Sequence, residues 1–365
     1  MKRVLITSFY RPKNGGFCKR YFRALNALLQ AGYDIHYLAT EPFPIEGEGC
    51  HFHHFPWKKE KCETLLFWFV FHLLSPFYLL YIAIRWKADI LLAFVPNYGF
   101  LLQPSRIFLK KPLILFLRGD TIKAHKINQK SRLIIFIDFC IEALGIFNAE
   151  IYGVSETCMN RVLSRHPKIP IKSKQVLRND IPVSTPASSA KKTDNYLHCS
   201  FIGILGKGKN ILFLLHILFL LKNERIILHI FGEGEDRQRI ENKIKDYCIT
   251  DKIVLHGWTD YENLWPGIDL VLFPSLHEGA PNTLLEAISN NKAVLASDIP
   301  EHREILSEKL LLPFKEETWI KEIRSFLIDK ETAKRENRKI TEKTRIMLSF
   351  NWDKSVCDIF DSYFP

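Results

Sequence analysis

Two glutamates with seven residues between them, Glu278 and Glu286, enclose a loop of small residues in the segment PSLHEGAPNTLLEAI. The preceding run DLVLFPS predicts a buried strand. The apolar spacing over residues 284–288 predicts a helix that begins near Pro281 or Asn282. Proline suits the first helical position and asparagine suits the N-cap. One carboxylate is therefore expected before the loop and the other about one turn into the helix.

The loop between these glutamates is expected to bind an anion. It lies at the carboxyl end of a strand and before a helix N-terminus, where backbone N–H groups and the helix dipole favour negative charge. Gly279 and Ala280 keep side chains out of the way of a phosphate. Because a carboxylate is repelled by phosphate, Glu278 and Glu286 are expected to accept hydrogen bonds from ligand hydroxyl groups. Hydroxyls on both sides of a diphosphate describe a nucleotide-sugar; the alternative is two surface glutamates on an ordinary strand–helix unit.

The elements that position this loop follow from the whole chain. Its 365 residues, 47% apolar and 25% charged, predict a globular protein of two domains. Short apolar runs alternate with helical patterns before and after a Pro-, Ser- and Lys-rich stretch, which predicts α/β architecture with two doubly wound parallel sheets joined by a linker at 181–197. Such sheets bind ligands at the carboxyl ends of their strands, and here a cleft between the halves is also expected to do so.

The remaining composition bears on location. Eight scattered cysteines without a CxxC pair indicate reduced thiols and a cytoplasmic protein, and the first apolar run is too short for a signal peptide. Residues 1–180 carry 26 Lys and Arg against 13 Asp and Glu, a net of +13, whereas residues 181–365 carry a net of −2. The first half is thus expected to face an anionic partner. Residues 65–84 lack charge, which leaves a membrane span, a helix at the membrane interface or a core helix.

The block from Glu278 to Glu286, preceded by FPS and followed by Ala-Ile, resembles the E-x7-E signature of the retaining GT-B glycosyltransferases of family 4. The likeness extends over nearly the whole chain. Residues 15–40 resemble the first glycine-rich loop and helix of that family, and 203–210 (GILGKGKN) resemble its Gly-Arg-Leu…Lys-Asn segment. FGEG, 231–234, resembles the Gly-x-Gly turn, and FNWDKSV, 350–356, resembles the closing helix.

This resemblance implies a GT-B fold of two Rossmann-like domains facing across a cleft. Residues 1–180 would bind the acceptor, 198–347 would bind the donor, and 348–365 would form a helix that crosses back onto the first domain. Glu286 would bind the ribose hydroxyls, Glu278 would contact the donor sugar, and Lys209 would meet the phosphates. The other donor-binding positions that we predict are Gly15, Gly16, Gly203, Lys207, Gly232, Gly279, Ala280, Pro281, Asn282 and Thr283.

Two departures from the family pattern affect the predicted roles. Ile204 stands where an arginine is usual, and we expect Lys207 to compensate. Arg118-Gly119-Asp120 stands where many members of the family have His-Gly after the strand LILFL, so the usual histidine is absent. We predict that Arg118 contacts phosphate or acceptor and that Asp120 orients the acceptor hydroxyl, which makes Glu278, Lys209, Asp120 and Arg118 the catalytic candidates.

Several other motifs are assigned no chemistry. CHFHH, 50–54, splits its side chains between two strand faces and matches no zinc spacing, so no metal is expected. FGEGEDRQR lacks the third glycine of a dinucleotide fingerprint. Asp138 and Glu142, four residues apart, are expected to form a solvated stripe on a helix rather than an acid–base pair. No nucleic-acid-binding motif accompanies the basic first half.

The sequence therefore predicts a retaining, metal-independent transferase without a cofactor. Its donor would be a nucleotide-sugar, with UDP favoured because such donors are common, and its acceptor a glycan or lipid-linked molecule of bacterial surface polysaccharide such as lipopolysaccharide or capsule. We expect it in the cytoplasm, at the inner face of an anionic membrane. The alternative is a GT-B subunit that binds nucleotide or a partner without catalysis.

Overall fold

The structure, a computed structural model, describes residues 3–12, 15–181 and 194–364. The chain divides into two compact units, each with its own sheet. The first unit comprises Met1–His125, Lys130–Arg178 and Asn351–Pro365, and the second comprises Lys126–Gln129 and Asn179–Phe350. Most of the predicted linker, at 182–193, lies outside the described residues.

The first unit contains a sheet of seven short parallel strands in the order β3-β2-β1-β4-β5-β6-β7. Its strands are β1 (Arg3–Ser8), β2 (Tyr33–Ala39), β3 (Cys50–His54), β4 (Ile90–Phe94), β5 (Leu113–Leu117), β6 (Glu150–Gly153) and β7 (Ser173–Val176). Its helices are α1 (Gly16–Gln30), α2 (Leu65–Arg85), α3 (Pro96–Leu109), α4 (Thr121–Ile127), α5 (Arg132–Ile146) and α6 (Glu156–Ser164), and helix α13 (Trp352–Asp361) also belongs to this unit.

The second unit contains six parallel strands in the order β10-β9-β8-β11-β12-β13. They are β8 (Leu197–Ile202), β9 (Ile226–Phe231), β10 (Ile253–Gly257), β11 (Leu270–Phe273), β12 (Ala293–Ser297) and β13 (Leu311–Leu312). The helices are α7 (Ile211–Leu220), α8 (Arg237–Asp246), α9 (Asn282–Ser289), α10 (Pro300–Arg303), α11 (Glu316–Ile328) and α12 (Lys330–Leu348).

Burial on both faces explains why the strands of the second sheet are almost wholly apolar. Along β11, Leu270 and Leu272 belong to one buried cluster, and Val271 and Phe273 belong to another. Alternate residues of a strand point to opposite faces, so each face of this sheet carries its own core. The predicted doubly wound α/β fold is confirmed, with two Rossmann-like parallel sheets.

The direction in which strands are added reverses once in each sheet. In the first sheet the chain returns past β1 to place β4 beside it, and in the second it returns past β8 to place β11 beside it. The loops that leave two such neighbouring strands diverge to opposite faces, which opens a crevice at the carboxyl edge of the sheet. The loop with Glu278 follows β11 and the turn with Lys209 follows β8, so both lie at the reversal point of the second sheet.

One prediction about helix α5 is wrong. Asp138 and Glu142 were expected in solvent, but both are buried, whereas Leu133, Phe136 and Leu144 of the same helix are exposed. Both carboxylates have hydrogen-bond partners on the protein side. Glu142 accepts hydrogen bonds from Arg165 at 2.9 Å, and Asp138 pairs with His125 at 2.6 Å.

Residues 65–84 belong to helix α2, whose two faces differ. Phe67, Phe71, Leu79 and Ile82 are fully buried, while other apolar side chains of the helix are exposed. By length and composition α2 is the one helix in the described ranges that meets the requirements for crossing a membrane, and a third of its most apolar window is buried. The half-buried face attaches α2 to the first unit, so a wholly buried core helix does not describe it.

Candidate functional site

An ion pair joins the loops after β8 and β11. The Nζ atom of Lys209 donates to Oε1 of Glu278 at 2.5 Å. Glu278 keeps only 8% of its side-chain surface, whereas Lys209 keeps 32%. The carboxylate is therefore enclosed by protein, and about a third of the lysine side chain is exposed to solvent.

A chain of hydrogen bonds from the ends of β11 and β12 fixes the orientation of Glu278. The hydroxyl of Ser275 donates to the same Oε1 at 2.7 Å. Ser297, at the end of β12, donates to the carbonyl of Ser275 at 2.5 Å, and Nδ1 of His302 donates to the carbonyl of Ser297 at 2.8 Å. Glu278 thus has a defined orientation that is set from the neighbouring strand.

These contacts set the protonation states around Glu278. Burial by itself would raise the pKa of Glu278, but Lys209 and Ser275 outweigh it, so this pKa lies below its usual value. Burial lowers the pKa of His302, and its Nε2 has no hydrogen-bond partner within the described residues. At neutral pH the loop therefore carries an ionised Glu278 beside a neutral His302.

The turn that carries Lys207 and Lys209 packs directly on the Glu278 loop. The N–H of Leu276 donates to the carbonyl of Gly208 at 2.9 Å, and a Cβ at position 208 would come within 2.7 Å of the His277 ring. Lys207 has no ion-pair partner among the residues that the structure describes. Two lysines are therefore presented at the end of β8, one paired and one available to an anion.

Glycines allow the loops after β8 and β9 to meet. Gly232 has φ +131°, and a Cβ there would lie 1.9 Å from the carbonyl oxygen of Gly203. The same contact brings the N–H of Gly203 to the carbonyl of Phe231 at 3.0 Å. A side chain at position 232 would push these loops apart, so the predicted donor-binding glycines Gly203 and Gly232 have a direct packing role.

Helix α9 begins one residue later than its proline suggests. Pro281 occupies the N-cap position and Asn282 is the first helical residue, so Asn282 does not cap the helix. Its side chain instead accepts a hydrogen bond from Asn179. Gly279, Ala280 and Thr283 are half-buried around this start. At this start the N–H of Asn282 donates to the carbonyl of Ala280 at 2.8 Å, and the N–H of Leu284 donates to the carbonyl of Pro281 at 3.1 Å.

Glu286 lies one turn into α9 and is half-buried. The Tyr261 ring is close enough for the Glu286 charge to contribute to raising the pKa of its phenol, after burial as the main cause. Leu284, Leu285 and Ile288 of the same helix are buried against the sheet. The periodicity of α9 therefore places Glu286 on its more accessible side.

The predicted residues of the first unit follow strands of the other sheet. Gly15 is the N-cap of α1, with φ +138°, and apart from its chain neighbours no described residue comes within 4 Å of the place where a Cβ would lie; Gly16 is the first residue of that helix. Arg118 follows β5, is buried, and donates to the carbonyl of Leu177 at 3.3 Å. Its guanidinium carbon lies 5.9 Å from the centre of the Trp352 ring.

Asp120 is held by arginine. Arg165 donates to its two oxygens at 2.8 and 2.9 Å, and Arg161 lies 3.8 Å away. Asp120 also accepts from the N–H of Lys123 at 2.8 Å, at the start of α4. Burial would raise its pKa, but Arg165 and this N–H lower it below the usual value. Arg165 continues to Glu142, so Asp120 belongs to a buried charge network.

The structure therefore brings together the second-unit candidates and places Arg118 and Asp120 in the first unit. Sequence reasoning missed Ser275, Ser297 and His302, which support Glu278. Their common signal is position, because each stands at or just beyond the carboxyl end of β11 or β12. Within the described residues no group of three or more His, Cys, Asp and Glu is arranged to hold a metal.

Comparison with known proteins shows which proteins the second unit is similar to. Residues 185–344 match the family model "Glycosyl transferases group 1". A 74-residue segment is 28% identical to the UDP-N-acetylglucosamine–peptide N-acetylglucosaminyltransferase GtfA subunit of Streptococcus gordonii. That segment is 20% of this chain and spans 15% of the length of that relative.

Three solved structures share the fold over nearly the full chain. Sucrose-phosphate synthase from Thermosynechococcus elongatus has a TM-score of 0.81 at 14% identity, with 99% of this chain and 98% of that chain covered. HepE of Anabaena, in complex with UDP and glucose, has 0.73 at 12% identity, with 99% and 100% covered. WaaG, a glycosyltransferase involved in lipopolysaccharide biosynthesis, has 0.71 at 14% identity, with 99% of each chain covered. At these identities the likeness establishes the GT-B fold.

Proposed function

We propose that this protein is a retaining, metal-independent glycosyltransferase that moves a sugar from a nucleotide-diphosphate-sugar to a glycan or lipid-linked acceptor. The observation that carries the proposal is the Lys209–Glu278 pair, enclosed on the carboxylate side and open on the ammonium side, at the reversal point of the second sheet. Ligands of doubly wound folds bind at that point. The group 1 domain match covers the same residues.

The diphosphate would bind between the Lys207–Lys209 turn and the start of α9. Lys207 and Lys209 supply positive charge, and the positive end of the α9 helix dipole adds to it. As the bond to the sugar breaks, negative charge grows on the leaving diphosphate. Donors that are already in place stabilise that charge more than they stabilise the ground state, and this accelerates the reaction.

The two glutamates would hold the hydroxyl groups on either side of the diphosphate. Glu286, one turn into α9, would accept from the ribose, and ionised Glu278 would accept from the donor sugar. Lys209 keeps Glu278 ionised in the free protein, and its exposed ammonium group is able to contact a phosphate without leaving the carboxylate. The second unit is thereby the donor domain of the proposal.

The first unit, including helix α13, would supply the acceptor side, with Gly15 and Gly16 at the start of α1 and Arg118 at the end of β5. Asp120 is better suited to positioning than to contact with an acceptor hydroxyl, since Arg165 occupies both of its oxygens. We favour UDP as the donor base because HepE binds UDP and the GtfA subunit is named for a UDP-sugar. The involvement of WaaG in lipopolysaccharide biosynthesis supports a role in surface polysaccharide. The scattered cysteines without a CxxC pair favour the cytoplasm as its location.

Radiolabelled UDP-, GDP- and ADP-sugars incubated with the full chain and a bacterial lipid extract test this proposal. We expect label in a glycan or lipid product, with the anomeric configuration of the donor retained and with EDTA having no effect. Glu286→Gln should abolish the transfer while the fold stays intact. Binding of a nucleotide-sugar without transfer or hydrolysis would instead favour a non-catalytic subunit, the alternative that Ile204 in place of a basic residue supports.

A further inference from the structure

Three neighbouring helices of the first unit expose an unusual amount of apolar surface. Of the 26 exposed large hydrophobic side chains of the described residues, 15 lie on α2, α3 and α5. We call this set of exposed apolar side chains the outer helical face. Scattered apolar residues are normal on soluble proteins, but a concentration of this kind marks an interaction surface.

The apolar side chains of α2 form a continuous stripe. Phe69, Leu73, Phe77, Tyr81 and Ile84 follow one another at intervals of three or four residues, and between 53% and 67% of each is exposed. This spacing places them on one side of the helix. The opposite side is buried, so the stripe runs along the outer side of α2 for nearly its full length.

Helices α3 and α5 extend that stripe sideways. A Cβ at Gly99 would lie 2.6 Å from the carbonyl oxygen of Gly145, so the two helices touch through their backbones. Gln103 of α3 donates to the carbonyls of Leu144 and Phe147 at 2.8 and 3.0 Å. Helix α2 packs on the other side of α3. The outer helical face is therefore one fixed surface.

Helix α5 buries its carboxylates and exposes its apolar side chains, and the fold holds it in this orientation. Glu142 is buried against Arg165 and His166, both at 2.9 Å, while Leu133, Phe136 and Ile137 are between 47% and 67% exposed. Turning the helix over would bury these apolar side chains but would leave Arg165 without one of its carboxylates. The charge network thus holds the apolar side outward.

Cations border this surface. Arg85 and Lys87 are exposed at the end of α2, Lys110 at the end of α3, and Lys130 and Arg132 at the start of α5. Helices α2 and α3 each connect parallel strands that are added in the same direction along the sheet, so their basic ends lie at the same edge. Trp86, beside Arg85, is 41% exposed. An apolar stripe that is bordered by cations and by the amphipathic indole of Trp86 is suited to the interface of a lipid bilayer.

We propose that the outer helical face docks the protein on a membrane that contains anionic phospholipid, with the exposed side chains of α2, α3 and α5 inserted among the headgroups. A second copy of the chain fits less well, because symmetric pairing of this face would bring the basic borders of both copies together. A neutral protein with an apolar surface would leave the basic residues at the border without an anionic partner. This inference concerns location and does not depend on the donor chemistry.

Sedimentation of the full chain with vesicles tests the docking. We expect binding to vesicles of phosphatidylcholine with phosphatidylglycerol, weaker binding to phosphatidylcholine alone, and a decrease as salt is raised. The double variant Phe77→Ser/Phe136→Ser should bind about 100-fold more weakly, about tenfold for each ring that is partly buried in lipid. The double variant Lys87→Gln/Lys110→Gln should lose the preference for anionic vesicles.

The matched control is Ile328→Ser/Ile346→Ser, which removes side chains that are 85% and 69% exposed in the second unit. It should bind vesicles as the unaltered protein does. Equal loss in test and control variants, or no binding of the unaltered protein to anionic vesicles, would overturn the proposal. A dimer in analytical ultracentrifugation that Phe77→Ser/Phe136→Ser breaks, without vesicle binding, would assign the surface to a second copy and overturn it as well. Thermal stabilisation by nucleotide-sugars should be the same in all variants, which separates this result from the proposed transfer.

Discussion

Glu278 of the second unit and Asp120 of the first are both carboxylates that follow a central strand and lie against a cation, yet their surroundings differ. Glu278 meets a single lysine that is one third exposed, whereas Asp120 meets the fork of Arg165 with both oxygens and keeps 1% of its side-chain surface. A fork with two parallel hydrogen bonds fixes geometry, while a lysine is a mobile point charge. We infer that the first pair serves a ligand and the second serves the fold.

The two ion pairs also differ in whether their cation remains available to a ligand. Lys209 shares the turn after β8 with Lys207, which has no ion-pair partner among the described residues, so a second cation is available near the first pair. Arg165 is shared between Asp120 and Glu142 and has no charge left for a ligand. Sequence position alone ranks Asp120 and Glu278 equally as catalytic candidates, and their partners separate them.

The largest expected effect is on stability, from Asp120→Asn. The change removes one charge from a buried pair, and we expect the free energy of unfolding to fall by about 3–5 kcal/mol. Glu278→Gln should cost less, about 1–2 kcal/mol, because Lys209 is able to turn to water. Chemical denaturation of both variants measures the contrast. If Asp120→Asn greatly lowered kcat and left the free energy of unfolding unchanged, Asp120 would have a catalytic rather than a structural role.

The next effect is on rate, from Lys209→Ala. Loss of a preorganised cation at the leaving group should lower kcat by a factor of about 10²–10³, as removal of one stabilising donor does in other active sites. The control is Lys321→Ala, at an exposed position of α11, which should transfer at the unaltered rate. Similar kcat values for the two variants would place the phosphates elsewhere.

A smaller effect is expected from pH. The folded pKa of Glu278 and that of Asp120 both lie below their usual values. Each ion pair therefore stabilises the fold above the unfolded pKa of about 4, and the contribution is lost as pH falls through the folded pKa. The difference in unfolding free energy between the unaltered protein and Asp120→Asn should shrink below about pH 4. A difference that stays constant on acidification would show that the pairing is not electrostatic.

The fold class was predictable because alternating apolar runs and helical patterns report local structure directly. Glu278, Glu286 and Lys209 were found because a strand, a small-residue loop and a helix pattern stand next to each other in the sequence. Local pattern also placed the start of α9 within one residue of its observed position.

Features that depend on distant partners were not predictable. Periodicity finds the two sides of α5 but does not say which side faces the core, and Arg165, which decides it, lies 23 residues beyond Glu142. The support of Glu278 by Ser297 and His302 likewise requires the pairing of β11 with β12. In each case the missing information is a contact between residues remote in sequence.

Donor binding to the second unit tests the central claim most directly. Isothermal titration should use whichever of UDP-, GDP- and ADP-glucose most raises the melting temperature of the unaltered protein. We predict that Glu286→Gln weakens this binding by a factor of about 10–100, which corresponds to the loss of a hydrogen bond to a charged group. The control variant Glu322→Gln, on α11, should bind the donor as the unaltered protein does. Equal affinity in both variants, or no stabilisation by any of the three, would contradict a nucleotide-sugar site at the start of α9.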